Sequence, residues 1–209
     1  MLIHPWDAAD EDEWRAWLGE HDFGQLIAAG RGRDVPIVVP THFTFDGVRT
    51  AWLHLARPNP VWAALEENPR ALLTVVDDYT YVRSEWNAGA STPDGRGVPT
   101  SYYATVQLAC DVRIVDDPAE KAELLNRQLG HFEPGSGRLP VSAEDDPDRR
   151  QLPGIRGIEL TVTDVRAKFK YGGNKEVEHR YAIAARLEER GGRADLAARG
   201  HLVRRVSIT

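Results

Sequence analysis

Between Ser101 and Val115 the chain alternates so regularly that an extended strand is its natural conformation. Val106, Leu108, Cys110, Val112 and Ile114 fall on one face, with polar or small residues between them. A strand of this length needs neighbours, and the flanking sequence supplies hairpins rather than strand–helix–strand units. FGQLIAA (Phe23 to Ala29) reads as a strand, and Gly30-Arg31-Gly32-Arg33 as a tight connection. Pro36 to Pro40, followed by THFTF, is also extended, but each proline removes a ladder donor and points to an edge or a bulge. Asp46-Gly47 marks a two-residue turn, which would pair His42-Phe43-Thr44 antiparallel with Thr50 to Leu55. Ala71 to Val76 and Tyr79 to Ser84 are further strands, split at Asp77-Asp78. Gly157 to Lys168 carries Ile158, Leu160 and Val162 in alternation.

Helices are inserted between these strands without a repeating rhythm. Asp10 to Gly19 begins with a cap residue and Glu13 three positions later, and sets Trp14, Trp17 and Leu18 on one face. Val61 to Asn68 follows an Asn59-Pro60 start, and Asp116-Asp117-Pro118 opens a helix to about Phe132. Lys175 to Glu189 is helical, with a weaker segment to Thr209 beyond Gly191-Gly192. Residues 87–99 form an exposed or ligand-covering loop, and 133–153 a polar surface excursion. About six or seven strands and three or four helices in this order predict an α+β fold, an antiparallel β-barrel with peripheral helices rather than a doubly wound parallel sheet. A single domain over 1–209 is expected, with a C-terminal helical segment from about 175 to 209.

Composition narrows the function classes. The single cysteine, Cys110, excludes an intramolecular disulfide and a multi-cysteine zinc site. No apolar run reaches the roughly 20 residues of a membrane-spanning helix, and MLIHPWDAADEDEW lacks the features of a signal peptide, so a cytoplasmic location is expected. A net charge of −6 gives no overall attraction to nucleic acid. Locally, Arg186, Arg190, Arg193, Arg199, Arg204 and Arg205 against Glu188, Glu189 and Asp195 leave +3, a modest patch that a solvated helix face also explains. There is no GxSxG, HExxH, phosphate-loop or dinucleotide fingerprint. His42 and His54 lie on neighbouring strands and could meet a metal, but no third ligand stands at a usable spacing. Cys110, within an apolar alternation, reads as a buried structural thiol.

Three segments are candidates for ligand chemistry. HLARPNPVW (His54 to Trp62) ends a strand with an imidazole and a guanidinium just before a helix start, where an anion fits; alternatively Arg57 is solvated and Asn59 only caps. RAKFKYGGNK (Arg166 to Lys175) gathers basic residues at a Gly-Gly turn, for an anionic tail or for solvent. YTYVRSEWN (Tyr79 to Asn87) and VPTSYY (Val98 to Tyr103) gather aromatics that suit a flat ring system or an ordinary core.

In combination these segments resemble the PaiB-type, FMN-binding negative transcriptional regulator family. The resemblance rests on Ile3-His4-Pro5 with an acidic helix, FGQLI, HLARPNPVW, Tyr81-Val82 with Trp86, Val98-Pro99-Thr100, and GIRGIELTVTDVRAKFK, in that order. The chain departs from the family's usual residues at 83–87, 101–103 and 170–174. The resemblance implies a flavin-binding split barrel related to pyridoxamine-phosphate oxidases, with FMN as cofactor and a homodimer with flavin sites between subunits. It implies that His54, Arg57 and Asn59 approach the flavin phosphate or ring edge, that Tyr81, Trp86, Thr100 and Tyr102 line the ring pocket, and that Lys168 adds positive charge. The alternative is a flavin-dependent oxidoreductase acting on a small or planar substrate. A further alternative is haem or a deazaflavin, with His42 or His54 as polar handle.

Overall fold

The computed structural model describes residues 1–206 apart from 90, 91 and 94, with backbone alone at 205 and 206. Its strands are β1 (Phe23–Ala28), β2 (Ile37–His42), β3 (Thr44–Phe45), β4 (Thr50–Ala56), β5 (Arg70–Val82), β6 (Thr100–Val115) and β7 (Ile155–Lys170). They form one sheet in the order β2-β1-β5-β6-β7-β4-β3, with β1–β2, β1–β5, β3–β4 and β4–β7 paired antiparallel. The helices are α1 (Glu11–Gly19), α2 (Val61–Glu67), α3 (Ser84–Asn87), α4 (Pro118–Phe132), α5 (Asp148–Gln151), α6 (Val177–Arg190) and α7 (Arg193–Val206). The α+β class with an antiparallel sheet is therefore the one expected from the sequence. No helix among the described residues is long and apolar enough to cross a membrane.

Contacts divide the chain into two units. The first comprises Met1–Trp14, Val76–Val106 and the chain from Arg166 onward; the second comprises Arg15–Val75 and Gln107–Val165. Strands β5, β6 and β7 each contribute residues to both.

In the second unit, β2 and β3 stand at opposite ends of the strand order, yet only Phe43 separates them in the chain. Two Cα–Cα steps cover at most about 7.6 Å, so the two ends of the order are joined covalently and the strands curl into a closed set. Phe43 is buried with Leu26, Leu53, Leu73, Leu108, Cys110, Ile158 and Leu160. Where β1 crosses β5, a Cβ at Gly24 would lie 2.7 Å from the Thr74 carbonyl oxygen, so glycine permits that approach. Helix α2 covers part of this core with Val61, Trp62, Ala64 and Leu65.

The first unit is built on the helix pair α6–α7 and the strand segments near it. Gly191 adopts φ +70° after α6 and lets the chain reverse into α7. Buried Asp195 accepts from the Arg190 guanidinium, from Thr80 Oγ1 and from Gly192 N, and His201 Nε2 meets Asp78 Oδ2 at 2.8 Å.

Several local expectations change. Asp77-Asp78 does not break the strand: β5 runs on through it, with Asp78 in the left-handed region at φ +54°. Aspartate tolerates that region better than most residues. Partners also hold it there, since Tyr171 Oη donates to the Asp78 carbonyl and His201 meets its carboxylate. The Asp46-Gly47 turn is longer than two residues, because Asp46 Oδ1 accepts from the amides of Val48, Arg49 and Thr50. Only Thr44 and Phe45 pair with β4; His42 pairs with Phe23 in β1. Residues 133–153 include α5 and bury Asp148 and Leu152. The segment after Gly191-Gly192 is a full helix, α7, over its described residues. The 87–99 loop contains residues 90, 91 and 94, which lie outside the described residues.

The Arg190 hydrogen bond is the main cause that holds the Asp195 carboxyl at about 2, below its ordinary 3.8, with Thr80 and Gly192 N adding to it. A depressed carboxyl contributes stability above its unfolded value and loses it as pH falls through its folded value. Asp195→Asn is expected to lower stability by about 2 kcal/mol at neutral pH. Thermal melts from pH 7 to pH 2 should show the wild type losing this advantage over the variant between about 3.8 and 2.

Candidate functional site

The polar cleft of the first unit, about 250 Å³, lies where β6 begins and β7 ends. Thr100 and Tyr102 face it from β6, and Lys170, Asn174 and Lys175 from the end of β7 and the turn after it. Lys170 Nζ donates to Thr100 Oγ1 at 2.8 Å, and Lys175 Nζ to the Asn87 carbonyl at 3.4 Å. Among the described residues neither amine has a carboxylate within ion-pair distance. Burial pulls both amines below their ordinary value, and for Lys170 the charge of Lys168 adds to this while Asp7 opposes it. A cation desolvated without a bonded carboxylate is an arrangement that an oxyanion would relieve. The Tyr102 ring is buried and edge-on to Tyr171 at 5.8 Å, and its hydroxyl has no hydrogen-bond partner among the described residues. Burial pushes that phenol upward, so it stays a donor at any working pH.

The second unit holds a different cavity, about 430 Å³, walled by Leu125, Leu129, Phe132 and Val141. Its polar groups come from β4, which carries His54, from the end of β2, which carries His42, and from α4, which carries Gln128. Asp117 starts α4 by accepting from the amides of Ala119 and Glu120, and the helix then aligns Leu125, Gln128, Leu129 and Phe132 along the cavity. His54 Nδ1 lies 2.7 Å from Gln128 Oε1, so Nδ1 carries the proton. Burial holds this imidazole below its ordinary value; the Gln128 bond opposes that and nearby His42 reinforces it. The His42 ring stands edge-on to His54 at 5.6 Å and to Phe132 at 5.0 Å.

The eight residues expected at a flavin divide between these units. Thr100 and Tyr102 line the polar cleft, and His54 lines the apolar cavity. Arg57 donates from Nε to the Pro153 carbonyl at 2.7 Å and from Nη2 to Asp116 at 3.4 Å, while its amide bonds the Gly154 carbonyl. Asn59 Oδ1 accepts from Val61 N at the start of α2. Tyr81 is half exposed, and its carbonyl accepts from Arg190. The Trp86 ring lies near the guanidinium groups of Arg83 and Arg190, at 5.3 and 4.8 Å from its centroid. Lys168 Nζ donates to the Leu2 carbonyl and lies 3.8 Å from Asp7.

Lys170, Asn174 and Lys175 are not among the eight residues expected at a flavin, although their basic Gly-Gly segment is one of the sequence's three candidate ligand segments. Gln128 was missed too; its signal is a lone amide within a helical apolar stripe. Burial pushes the Cys110 thiol up to about 12, in keeping with a structural role. Among the described residues no group of three or more His, Cys, Asp or Glu could hold a metal ion.

The fold recurs in proteins of low sequence identity. The FAD and heme binding protein from Mycobacterium smegmatis is 16% identical, with a TM-score of 0.61 over 89% of this chain and 80% of that one. The flavocytochrome Anf3 from Azotobacter vinelandii is 22% identical, with a TM-score of 0.60 over 80% and 71%. The conserved hypothetical protein Rv2991 from Mycobacterium tuberculosis is 15% identical, with a TM-score of 0.54 over 81% and 90%. Together with the closed strand order, this places the chain in the α+β split-barrel class. No curated protein sequence matches it. Residues 1–164 match the family described as "Putative FMN-binding domain", and the chain belongs to that family.

Gly172 makes the cleft possible. It adopts φ +66°, and a Cβ there would collide with the Tyr102 hydroxyl. Gly172→Ala is expected to cost about 1–3 kcal/mol, whereas Gly137→Ala, which meets nothing within 4 Å, should melt like the wild type.

Proposed function

We propose that this protein binds a flavin, FMN in particular, and that the polar cleft of the first unit seats the cofactor's phosphate. The observation that carries the reading is family membership over residues 1–164. The two desolvated lysines beside an unpartnered buried phenol support the location. A bound flavin would supply hydride and electron transfer, and the protein would supply binding and orientation. Lys170 and Lys175 would pair with the phosphate oxygens, Tyr102 and Thr100 would donate hydrogen bonds, and Gly172 would keep the turn clear.

The resemblance also names Tyr81 and Trp86 at the ring and Lys168 as added charge, which belong to the same unit as the cleft; His54, Arg57 and Asn59, named for the phosphate or ring edge, belong to the second unit and are proposed separately from this cleft. Arg57 and Asn59 already serve local structure, so their contribution is expected to be positional. Unchanged FMN affinity in both His54→Ala and Arg57→Ala would remove that part of the reading.

A cytoplasmic homodimer acting as a transcriptional regulator is the narrower form of this reading, and a flavin-dependent oxidoreductase is its rival. Three arginines of the C-terminal patch already have acidic partners: Arg186 with Glu189, Arg190 with Asp195 and Arg199 with Glu188. That favours weak contact with DNA. Light scattering reads the dimer. Salt-dependent binding to upstream DNA would support the regulator, and flavin reduction by NAD(P)H with turnover on an acceptor would support the oxidoreductase.

The test of the flavin site compares FMN with riboflavin by fluorescence titration. Losing one charge-assisted phosphate contact corresponds to roughly 10- to 100-fold in affinity. Lys170→Met and Lys175→Met should each weaken FMN by that order while leaving riboflavin unchanged. Equal effects on both ligands, or no effect on either, would place the phosphate elsewhere.

A further inference from the structure

The apolar cavity of the second unit contains a histidine whose two ring nitrogens are in different states. Nδ1 of His54 donates to Gln128 Oε1, and Nε2, on a ring that lines the cavity, has no hydrogen-bond partner among the described residues. Gln128 is itself 96% removed from solvent, and its own Nε2 has no hydrogen-bond partner among the described residues. An orphaned buried amide is destabilising, and a leucine, like those at 125 and 129, would avoid that cost. What glutamine adds at this position is the bond that fixes the tautomer and orientation of His54.

A neutral imidazole with one N–H held by an oxygen acceptor and the other nitrogen open is the arrangement of a metal-ligating histidine. The described residues offer no group of three or more His, Cys, Asp or Glu for a bare ion. A metal that carries its own ring of donors needs only one ligand from the protein. The cavity is of ligand-binding size, within the usual range of about 300–1,000 Å³. Its Leu125, Leu129, Phe132 and Val141 walls suit a large apolar macrocycle. At the rim, Arg138 offers a cation for carboxylate side groups, though it also pairs with Asp148 at 2.6 Å, and Glu133 is the opposing charge. His42, by contrast, has no ring hydrogen bond among the described residues to fix its tautomer.

We infer that this cavity binds haem, with His54 Nε2 as the axial ligand of the iron and Gln128 as the positioning residue. The inference goes beyond the flavin reading: it takes His54 away from the flavin contact that the resemblance assigns to it, and it leaves the Lys170 and Lys175 cleft of the first unit as it stands.

Hemin titrated into the purified full-length protein and followed by absorbance tests it. The wild type should bind one equivalent and show the Soret band of imidazole-ligated haem. His54→Ala should lose that band and regain it on addition of free imidazole, while His42→Ala should keep it. His54→Tyr, which retains a ring and offers an oxygen donor, should shift the spectrum to that of phenolate ligation. Gln128→Leu should weaken haem binding by about 10- to 100-fold, and Gln128→Glu, which keeps an oxygen acceptor for Nδ1, should restore it. A wild type without the band, a His54→Ala titration matching the wild type, or loss of the band in His42→Ala alone would overturn the inference. Flavin fluorescence in the same samples separates failure here from failure of the flavin reading, and circular dichroism checks that each variant is folded.

Discussion

A single covalent constraint organises the second unit: the two terminal strands of the sheet order are contiguous in the chain, with Phe43 alone between them. A sheet so tethered cannot lie flat, because its ends must meet within the reach of one residue. Its inward faces then enclose one core, and every strand has a fixed inside and outside. The inside takes Leu26, Leu53, Leu73, Leu108 and Ile158. The close approach of β1 to β5 at Gly24 follows from the same confinement. Helix α4 completes the apolar cavity by setting Leu125, Gln128, Leu129 and Phe132 toward it.

The two concavities differ in the way they treat charge. In the polar cleft, amines are desolvated without a directly bonded carboxylate, and buried Asp7 in the lining is the one charge that opposes an incoming oxyanion. In the apolar cavity, burial disfavours the charged form of His54, and its Nδ1 proton is committed to an amide. The first arrangement favours a negatively charged ligand end. The second favours a large, mainly apolar body with a centre that accepts a lone pair. Each follows from local topology: a strand end and a Gly-Gly turn bring lysines together, whereas a helical stripe brings aliphatic side chains with one amide among them.

Much of the fold could be read from the sequence because periodicity and capping are local. The alternation through Cys110, the Asp10 and Asp117 caps and the Gly191 break all mark elements that are present. The misreadings share a cause in tertiary partners. Asp77-Asp78 resembles a turn until Tyr171 and His201 are known to hold Asp78 inside a strand. The site was less legible for the same reason. Arg57 looks available for an anion in HLARPNPVW, but the Pro153 carbonyl and Asp116 come from residues far along the chain. Conversely, the basic Gly-Gly segment was conspicuous, but nothing local indicated that Lys170 and Lys175 would be buried beside Tyr102 and Asn87.

The two units also differ in how they are threaded. The second lies wholly between residues 15 and 165, whereas the first is assembled from three separate stretches, the last beginning at Arg166. The family match stops at residue 164. The barrel-forming unit is thus almost entirely within the matched region, while Lys170, Gly172, Asn174 and Lys175 lie beyond it. The cleft is drawn from both sides of that boundary, with Thr100 and Tyr102 inside the matched region and the two lysines and their Gly-Gly turn outside it. A substitution at Lys170 or Lys175 can therefore alter the charge of the cleft without touching a strand partner near Phe43.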